Sequence, residues 1–242
     1  MQRMTVRFIF LGAGLLVAAG LAQTTSQVFG HWQGKIQIPG RELGISVDLA
    51  RSPKGTWIGS MSVVGSTAVD VPLSGVVIDD AAVRFTADLP VHASFDGRVS
   101  GDTNTISGTA SSVEGQAPFQ LTRNGEAHVK MPPPSTALSK EFEGAWEGTL
   151  DAGAKILRIG LKLSETADGT ATATLISVDQ GNQEIPVTTV TIKGTDLQLE
   201  ARAVSGNYRG ILGARGDIAG EWSQGPSRLP LTFKRASSEK KP

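Results

Sequence analysis

The stretch Leu157–Leu163 reads Leu-Arg-Ile-Gly-Leu-Lys-Leu, with an apolar residue at every second position. Successive side chains of a β-strand point to opposite faces, so this period of two predicts a strand with one buried face. The same alternation recurs around Trp146 and Leu199, and glycine-containing turns such as Asp168-Gly169 separate the runs. The pattern therefore predicts short antiparallel strands that are joined by tight turns.

The sequence around this strand also occurs earlier in the chain. Matching segments follow one another in the same order, among them Gly30–Gly34 with Gly144–Gly148, Val71-Pro72 with Ile185-Pro186, and Pro118–Arg123 with Pro230–Arg235. A repeated order at nearly constant spacing is the mark of a duplicated unit. We therefore divide the chain into copy one, residues 29–123, and copy two, residues 142–235.

Each copy has room for about eight short strands, and none of its segments has a helical apolar stripe. Eight antiparallel strands close into a small barrel that leaves no exposed edge. We therefore predict an all-β chain of two tandem, antiparallel up-and-down β-barrels of the lipocalin-like type. A pair of β-sandwiches is the alternative. A barrel of this size is either filled by its own side chains or admits one small apolar ligand.

The segments outside the copies have distinct compositions. Residues 124–141 contain Met131 followed by three prolines, which is typical of a semi-rigid linker, and we expect this linker to limit contact between copy two and copy one. Residues 236–242 are too polar to bury, so we predict a disordered tail.

The N-terminus has the layout of a secretory signal. Arg3 and Arg7 precede the apolar run Phe8–Ala19, and the small residues Gly20 and Ala22 follow it. The run is shorter than the roughly 20 residues that cross a bilayer, so we predict no membrane span in the mature chain. Residues 1–22 are thus a predicted signal peptide, and we expect an exported protein, periplasmic or extracellular.

Composition excludes several classes of function. The 242 residues include 23 basic and 23 acidic side chains and no cysteine. A chain without net charge has no electrostatic surplus for a nucleic-acid partner. Without cysteine there is no disulfide, thiolate metal site or cysteine nucleophile. His31, His92 and His128 show no metal-ligand spacing, so we predict no metal site and no cofactor.

Enzyme signatures are also missing from the sequence. There is no Gly-x-Ser-x-Gly elbow of an α/β-hydrolase, and Asp-Thr/Ser-Gly does not occur at equivalent points of both copies. Scattered carboxylates leave an esterase or a glycosidase open as an alternative. We assign no catalytic residue.

The densest polar cluster lies in copy two, where Ser177, Asp179 and Gln180 occur close together. With Trp222 and Gln224 they form the predicted ligand- or partner-binding site. In the alternative interpretation, Asp179 and Gln180 bond nearby backbone groups in a turn and Trp222 fills the core.

Copy two resembles a known module. Its motifs include Gly144-x-Trp146-x-Gly148-x-Leu150, Ser177-x-Asp179-Gln180-Gly181 and Ile218-x-Gly220-x-Trp222-x-Gln224-Gly225. In order and spacing they resemble the β-rich accessory domain that precedes the catalytic domain in secreted bacterial α/β-hydrolase-family proteins. Copy one departs from these motifs at the Asp-Gln-Gly loop and has Ala110 in place of the second tryptophan.

The resemblance implies a non-catalytic role. The leading hypothesis is a secreted, non-enzymatic binding or interaction protein whose partner is a secreted hydrolase or a small ligand. A lipocalin-like carrier of a small apolar ligand is the alternative within binding, and a hydrolase is the alternative from another class.

Overall fold

The computed structural model describes residues 28–151, 153 and 155–236. The predicted signal peptide, residues 1–22, and residues 237–242 of the predicted tail lie outside this part. The described residues form strands and two short 3-10 turns, Val178–Gln180 and Arg202–Val204, which confirms the all-β class. None of their helical segments is long and apolar enough to cross a bilayer.

Domain one is a closed antiparallel barrel. Every strand pairs with the next in sequence, and the first pairs with the last, as an up-and-down barrel requires. Its eight strands are β1 (Gly30–Ile38), β2 (Arg41–Arg51), β3 (Trp57–Val63), β4 (Val71–Asp79), β5 (Ala82–Ala87), β6 (Ala93–Val99), β7 (Thr105–Ser112) and β8 (Gly115–Gly125).

Domain two is a curled sheet of nine strands, one more than domain one. Its strands are β9 (Gly144–Asp151), β10 (Ile156–Glu165), β11 (Ala171–Ser177), β12 (Gln183–Pro186), β13 (Thr189–Lys193), β14 (Asp196–Ala201), β15 (Gly206–Leu212), β16 (Ile218–Gln224) and β17 (Ser227–Arg235). In space the order is β12-β11-β10-β9-β17-β16-β15-β14-β13, so β12 and β13 are the two edges.

The ninth strand arises because the counterpart of β4 is divided in domain two. The Val187 N–H donates to the Ala173 carbonyl at 3.3 Å, and the Thr188 N–H donates to the Glu200 carbonyl at 2.6 Å. Ala173 and Glu200 lie on β11 and β14, so the chain changes its pairing partner between two adjacent residues. The strand pairing of domain two therefore stays open, whereas we expected an eight-stranded barrel.

The linker occupies the gap that this division leaves. The Thr136 N–H donates to the Val190 carbonyl at 2.9 Å, and the Ala171 N–H donates to the Thr136 carbonyl at 2.8 Å. The Ile192 N–H donates to Thr136 Oγ1 at 2.8 Å. Thr136 thus bridges β11 and β13 and satisfies backbone groups that an open edge would leave unpaired.

The linker also contacts domain one. The His128 N–H donates to Asp48 Oδ1 at 2.8 Å, and Lys130 Nζ lies 2.9 Å from Asp70 Oδ2. The linker has backbone and side-chain donors and acceptors on both sides of Pro132–Pro134. Those groups pair with the two domains.

Each domain is closed at one end by a buried tryptophan. Trp32 and Trp146 are 0% and 1% exposed, on the first strand of their domains. The indole N–H of Trp32 donates to the Val28 carbonyl at 3.2 Å, and that of Trp146 to the Phe142 carbonyl at 2.9 Å. We call this the closed end of each domain and the opposite end the open end.

We predict that domain two needs the linker for its stability. A chain that starts at residue 142 loses the hydrogen bonds of Thr136, each worth about 0.5–1.5 kcal/mol net. Its melting temperature should therefore fall below that of a chain that starts at residue 133. Thermal unfolding followed by circular dichroism measures the difference.

A chain that starts at residue 126 is the control for this comparison. It adds residues that bond domain one, and only the Lys130 carbonyl among them bonds domain two, through Arg202. It should therefore melt close to the chain from residue 133, which already contains Thr136. Equal melting temperatures for all three chains would contradict the role that we give to Thr136.

Candidate functional site

Domain two widens toward its open end. The inward-facing side chains Leu163 and Leu161 of β10 are each 1% exposed, whereas Ile159 and Leu157, further along the same face, are only half-buried. In domain one, the residue equivalent to Ile159 is Ile45, which is 1% exposed. The interior of domain two is therefore accessible at an end where that of domain one is covered.

A cavity of about 310 Å³ lies at the open end of domain two. This volume is at the small end of the range of about 300–1,000 Å³ for ligand pockets. Most of its wall is apolar and comes from inward-facing strand residues, among them Leu150, Leu157, Leu175, Ile185, Trp222 and Leu231.

The polar residues of the cavity carry no charge. They are Ser177, Gln180, Gln183 and Gln224, and no Asp, Glu, Lys, Arg or His of the described residues lines it. The Ser177 hydroxyl donates to Gln180 Oε1 at 2.6 Å, and Gln224 Nε2 donates to the Val204 carbonyl at 2.8 Å. The rim thus offers amide groups, two of which are held in place by a neighbour.

Trp222 forms part of the wall because Gly206 makes room for its ring. The two residues lie on the neighbouring strands β15 and β16, and a Cβ on Gly206 would lie 2.1 Å from Cζ2 of the indole. In domain one the equivalent positions hold Ala93 and Ala110. The copies therefore differ by a matched pair, glycine with tryptophan in domain two and alanine with alanine in domain one.

Phenylalanines fill the interior of domain one. Phe85 stacks on Phe95 with ring centroids 4.7 Å apart, and Phe95 meets Phe119 edge-on at 5.4 Å. All three rings are at most 3% exposed. The equivalent residues in domain two include the smaller Leu199 and Leu231. The interior of domain one is thus filled, whereas that of domain two contains a cavity.

Asp179 does not line the cavity. Its carboxylate accepts hydrogen bonds from the Arg158 backbone N–H at 2.8 Å and from Arg158 Nε and Nη2 at 2.9 and 2.6 Å. These hydrogen bonds from Arg158 hold the pKa of Asp179 below its ordinary value. The predicted cluster therefore divides in the structure. Asp179 links the 3-10 turn Val178–Gln180 to β10, and the residues that share the cavity are Ser177, Gln180, Trp222 and Gln224.

The open end of domain two meets loops of domain one. Pro90, in the loop between β5 and β6, lines the cavity together with Val204 of the second 3-10 turn. On either side of Val204, Arg202 Nη1 donates to the Asp70 carbonyl at 3.0 Å and Ser205 Oγ donates to the Thr67 carbonyl at 2.5 Å. One short turn therefore contributes to both the cavity wall and the domain contact.

A larger groove of about 960 Å³ lies on the outer face of domain two. Charged side chains on that face of β9, β10 and β17, such as Glu147, Lys162 and Lys234, border it. They are exposed to solvent and point away from the apolar interior. We therefore place the candidate site in the smaller cavity, where apolar walls enclose the space.

The structure brings one serine, one aspartate and one histidine together on domain one, but their spatial arrangement is not that of a serine hydrolase. Asp48 pairs across the sheet with His31 on one side and Ser60 on the other. The His31 ring lies 3.0 Å from the carboxylate, which also accepts the His128 N–H. A nucleophilic serine must bond the histidine directly, and here the carboxylate separates them.

Metal ligands are not grouped in the described part of the chain. Between residues 28 and 236, leaving out the undescribed 152 and 154, no three His, Asp or Glu side chains are arranged to hold an ion.

Sequence reasoning missed part of the cavity. Pro90 reaches it only because loops of the two domains meet, which no local pattern encodes. Leu157 and Ile185 were recognisable as inward-facing strand residues, but their place at the open end depends on which end the tryptophans close.

Comparisons with known proteins leave the family open. No protein-family model and no curated protein matches the chain. Its fold is similar over 90% of its length to a crystal structure from Nostoc punctiforme, a protein of unknown function of the DUF3598 family. That match has 13% identity, 99% coverage of the other chain and a TM-score of 0.27.

A second similar structure is a Bacteroides fragilis protein proposed to be an outer membrane protein. It matches with 11% identity, a TM-score of 0.28, and coverage of 87% of this chain and 97% of the other. At these scores neither likeness carries a conclusion about fold or function.

We predict that Asp179 stabilises the turn through its charge. Because the pKa of Asp179 is lower in the folded than in the unfolded protein, its contribution is present above the ordinary Asp pKa of about 4 and is lost as the pH falls through the folded value. Asp179→Asn should lower the melting temperature at neutral pH, and the difference from the wild type should shrink in acid.

Asp196→Asn is the control, because Asp196 is an exposed aspartate at the start of β14. Melting curves over a pH series measure both variants. A deficit of Asp179→Asn that is as large in acid as at neutral pH would show that the ion pair does not account for it.

Proposed function

We propose that this protein is an exported, non-enzymatic binding protein that takes a small, mainly apolar molecule into the open end of domain two. The observation that carries the proposal is the concave cavity of about 310 Å³ with its apolar wall and uncharged polar rim. A concave apolar site with a few convergent polar groups is the usual form of a small-molecule site.

Burial of apolar surface supplies the driving force for such a ligand. Each methylene that leaves water for the cavity contributes about 0.8 kcal/mol. Most wall residues lie on β9, β10, β11, β16 and β17, which are paired on both sides, so little ordering of them is needed when a ligand enters. Export is supported by the signal-like N-terminus of the sequence.

The chemistry of the rim favours binding over catalysis. The Ser177 hydroxyl is engaged with the Gln180 side chain, and no imidazole or carboxylate among the lining residues could take its proton. Activation of a serine requires an adjacent base. This agrees with the non-catalytic role that the resemblance to hydrolase accessory domains implies.

We predict that Gly206→Ala weakens binding by displacing Trp222. A methyl group on Gly206 overlaps the indole, so the ring must leave its present position in the cavity wall. The probe is N-phenyl-1-naphthylamine, an uncharged apolar dye whose fluorescence rises on entering an apolar site. Its affinity should fall by about tenfold, which corresponds to about 1.4 kcal/mol.

Two further variants separate local from global effects. Ala93→Gly changes the equivalent position of domain one and should leave dye affinity unchanged. The double variant Gly206→Ala with Trp222→Ala recreates the residue pair of domain one. It should regain the stability that the overlap in Gly206→Ala costs, but its cavity wall still lacks the Trp222 ring. Full dye affinity in Gly206→Ala, or no dye binding by the wild type, would contradict the proposal.

A further inference from the structure

We infer that the ligand of domain two is an electrically neutral molecule with an apolar tail and a hydroxyl or carboxamide head. This inference rests on the proposed function and specifies its ligand class. It follows from the groups that the cavity presents and from the charged groups that the structure directs elsewhere.

The first observation is the lack of any counter-charge in the cavity. No ionisable side chain of the described residues lines it. Charges next to lining residues along the chain are directed elsewhere: Glu184 alternates with Gln183 and Ile185 on β12, Asp179 is bound by Arg158, and Arg202 bonds Glu200 at 2.9 Å. A carboxylate or ammonium head that passes the exposed rim to reach Trp222 and Gln224 would lose hydration without gaining an opposite charge.

The second observation is the set of polar groups left over after the internal hydrogen bonds. Gln180 uses its Oε1 to accept from Ser177, so its Nε2 keeps both N–H groups for another partner. Gln224 uses its Nε2 to donate to Val204, so its Oε1 keeps its lone pairs. No bond from the Trp222 indole N–H to another described residue is found.

These groups define the head that fits. Donors from Gln180 and Trp222 require an acceptor on the ligand, and the Gln224 oxygen requires a donor. A hydroxyl and a carboxamide each supply both in one neutral group, whereas a carboxylate only accepts and an ammonium only donates. The apolar wall takes the tail.

Compounds of equal chain length that differ only in the head group test the inference. We would measure displacement of N-phenyl-1-naphthylamine by 1-octanol, octanamide, octanoate and octylammonium. The alcohol and the amide should bind at least about tenfold more tightly than either ion, because an unpaired charge loses its hydration. Octanoate should bind more tightly as the pH is lowered through the pKa of the free acid.

Gln180→Glu supplies the matched variant. It keeps an oxygen for Ser177 and replaces the amide nitrogen by a second carboxylate oxygen, with little change of shape. Octylammonium should then bind more tightly than it binds the wild type, and 1-octanol less tightly. Gln37→Glu, an exposed glutamine on β1 of domain one, should leave the order of affinities unchanged.

The outcomes separate the two proposals. If the dye binds and either ion competes as well as the alcohol, the neutral-head inference is overturned while the binding function stands. If Gln180→Glu does not raise the affinity for octylammonium, Gln180 does not contact the head and the inference is again overturned. If the dye and all four compounds fail to bind, both the neutral-head inference and the proposed function are contradicted.

Discussion

An arginine stacked on a buried tryptophan joins the first and last strands of each domain. Arg123 lies 4.4 Å from the ring centroid of Trp32, and Arg235 lies 4.1 Å from that of Trp146. Each guanidinium also bonds a backbone carbonyl just before the first strand, Phe29 in domain one and Glu143 in domain two. Cation–π contacts are strongest where the cation is partly desolvated, as Arg123 is; Arg235 is more exposed.

This interaction determines at which end the interior side chains of the two domains can differ. Because this pair holds the first and last strands together, the closed end has the same buried tryptophan and stacked arginine in both domains. The opposite end carries no such constraint. Domain one fills it with Phe85, Phe95 and Phe119, and domain two leaves a cavity bordered by Trp222 and three glutamines. The two domains thus differ in their interiors: domain one has a filled core, and domain two has a cavity.

The strands could be predicted from the sequence, and the candidate site only in part. Period-two patterns predicted the strands, and the matching segments indicated which residues of the two copies correspond. Four of the five predicted site residues share the cavity: Ser177, Trp222 and Gln224 lie on β11 and β16, and Gln180 lies in the 3-10 turn after β11. Asp179 does not, since a carboxylate next to Arg158 gains more from that partner than from an apolar cavity.

The features that the sequence did not predict depend on contacts between distant segments. The change of pairing at Val187 and Thr188 requires two neighbouring strands to compete for adjacent N–H groups. Thr136 enters the sheet only because that change leaves a gap, and Pro90 reaches the cavity only because loops of the two domains meet. None of these has a signature within a short window of residues.

The location of a bound ligand tests the central claim most directly. A crystal of the protein soaked in 8-bromo-1-octanol would reveal the bromine by its anomalous scattering. The account predicts one bromine peak inside domain two, against Leu175 and Leu231, with the hydroxyl at Gln180 and Gln224. Bromine confined to the outer groove beside Glu147 and Lys162, or within domain one, would contradict it.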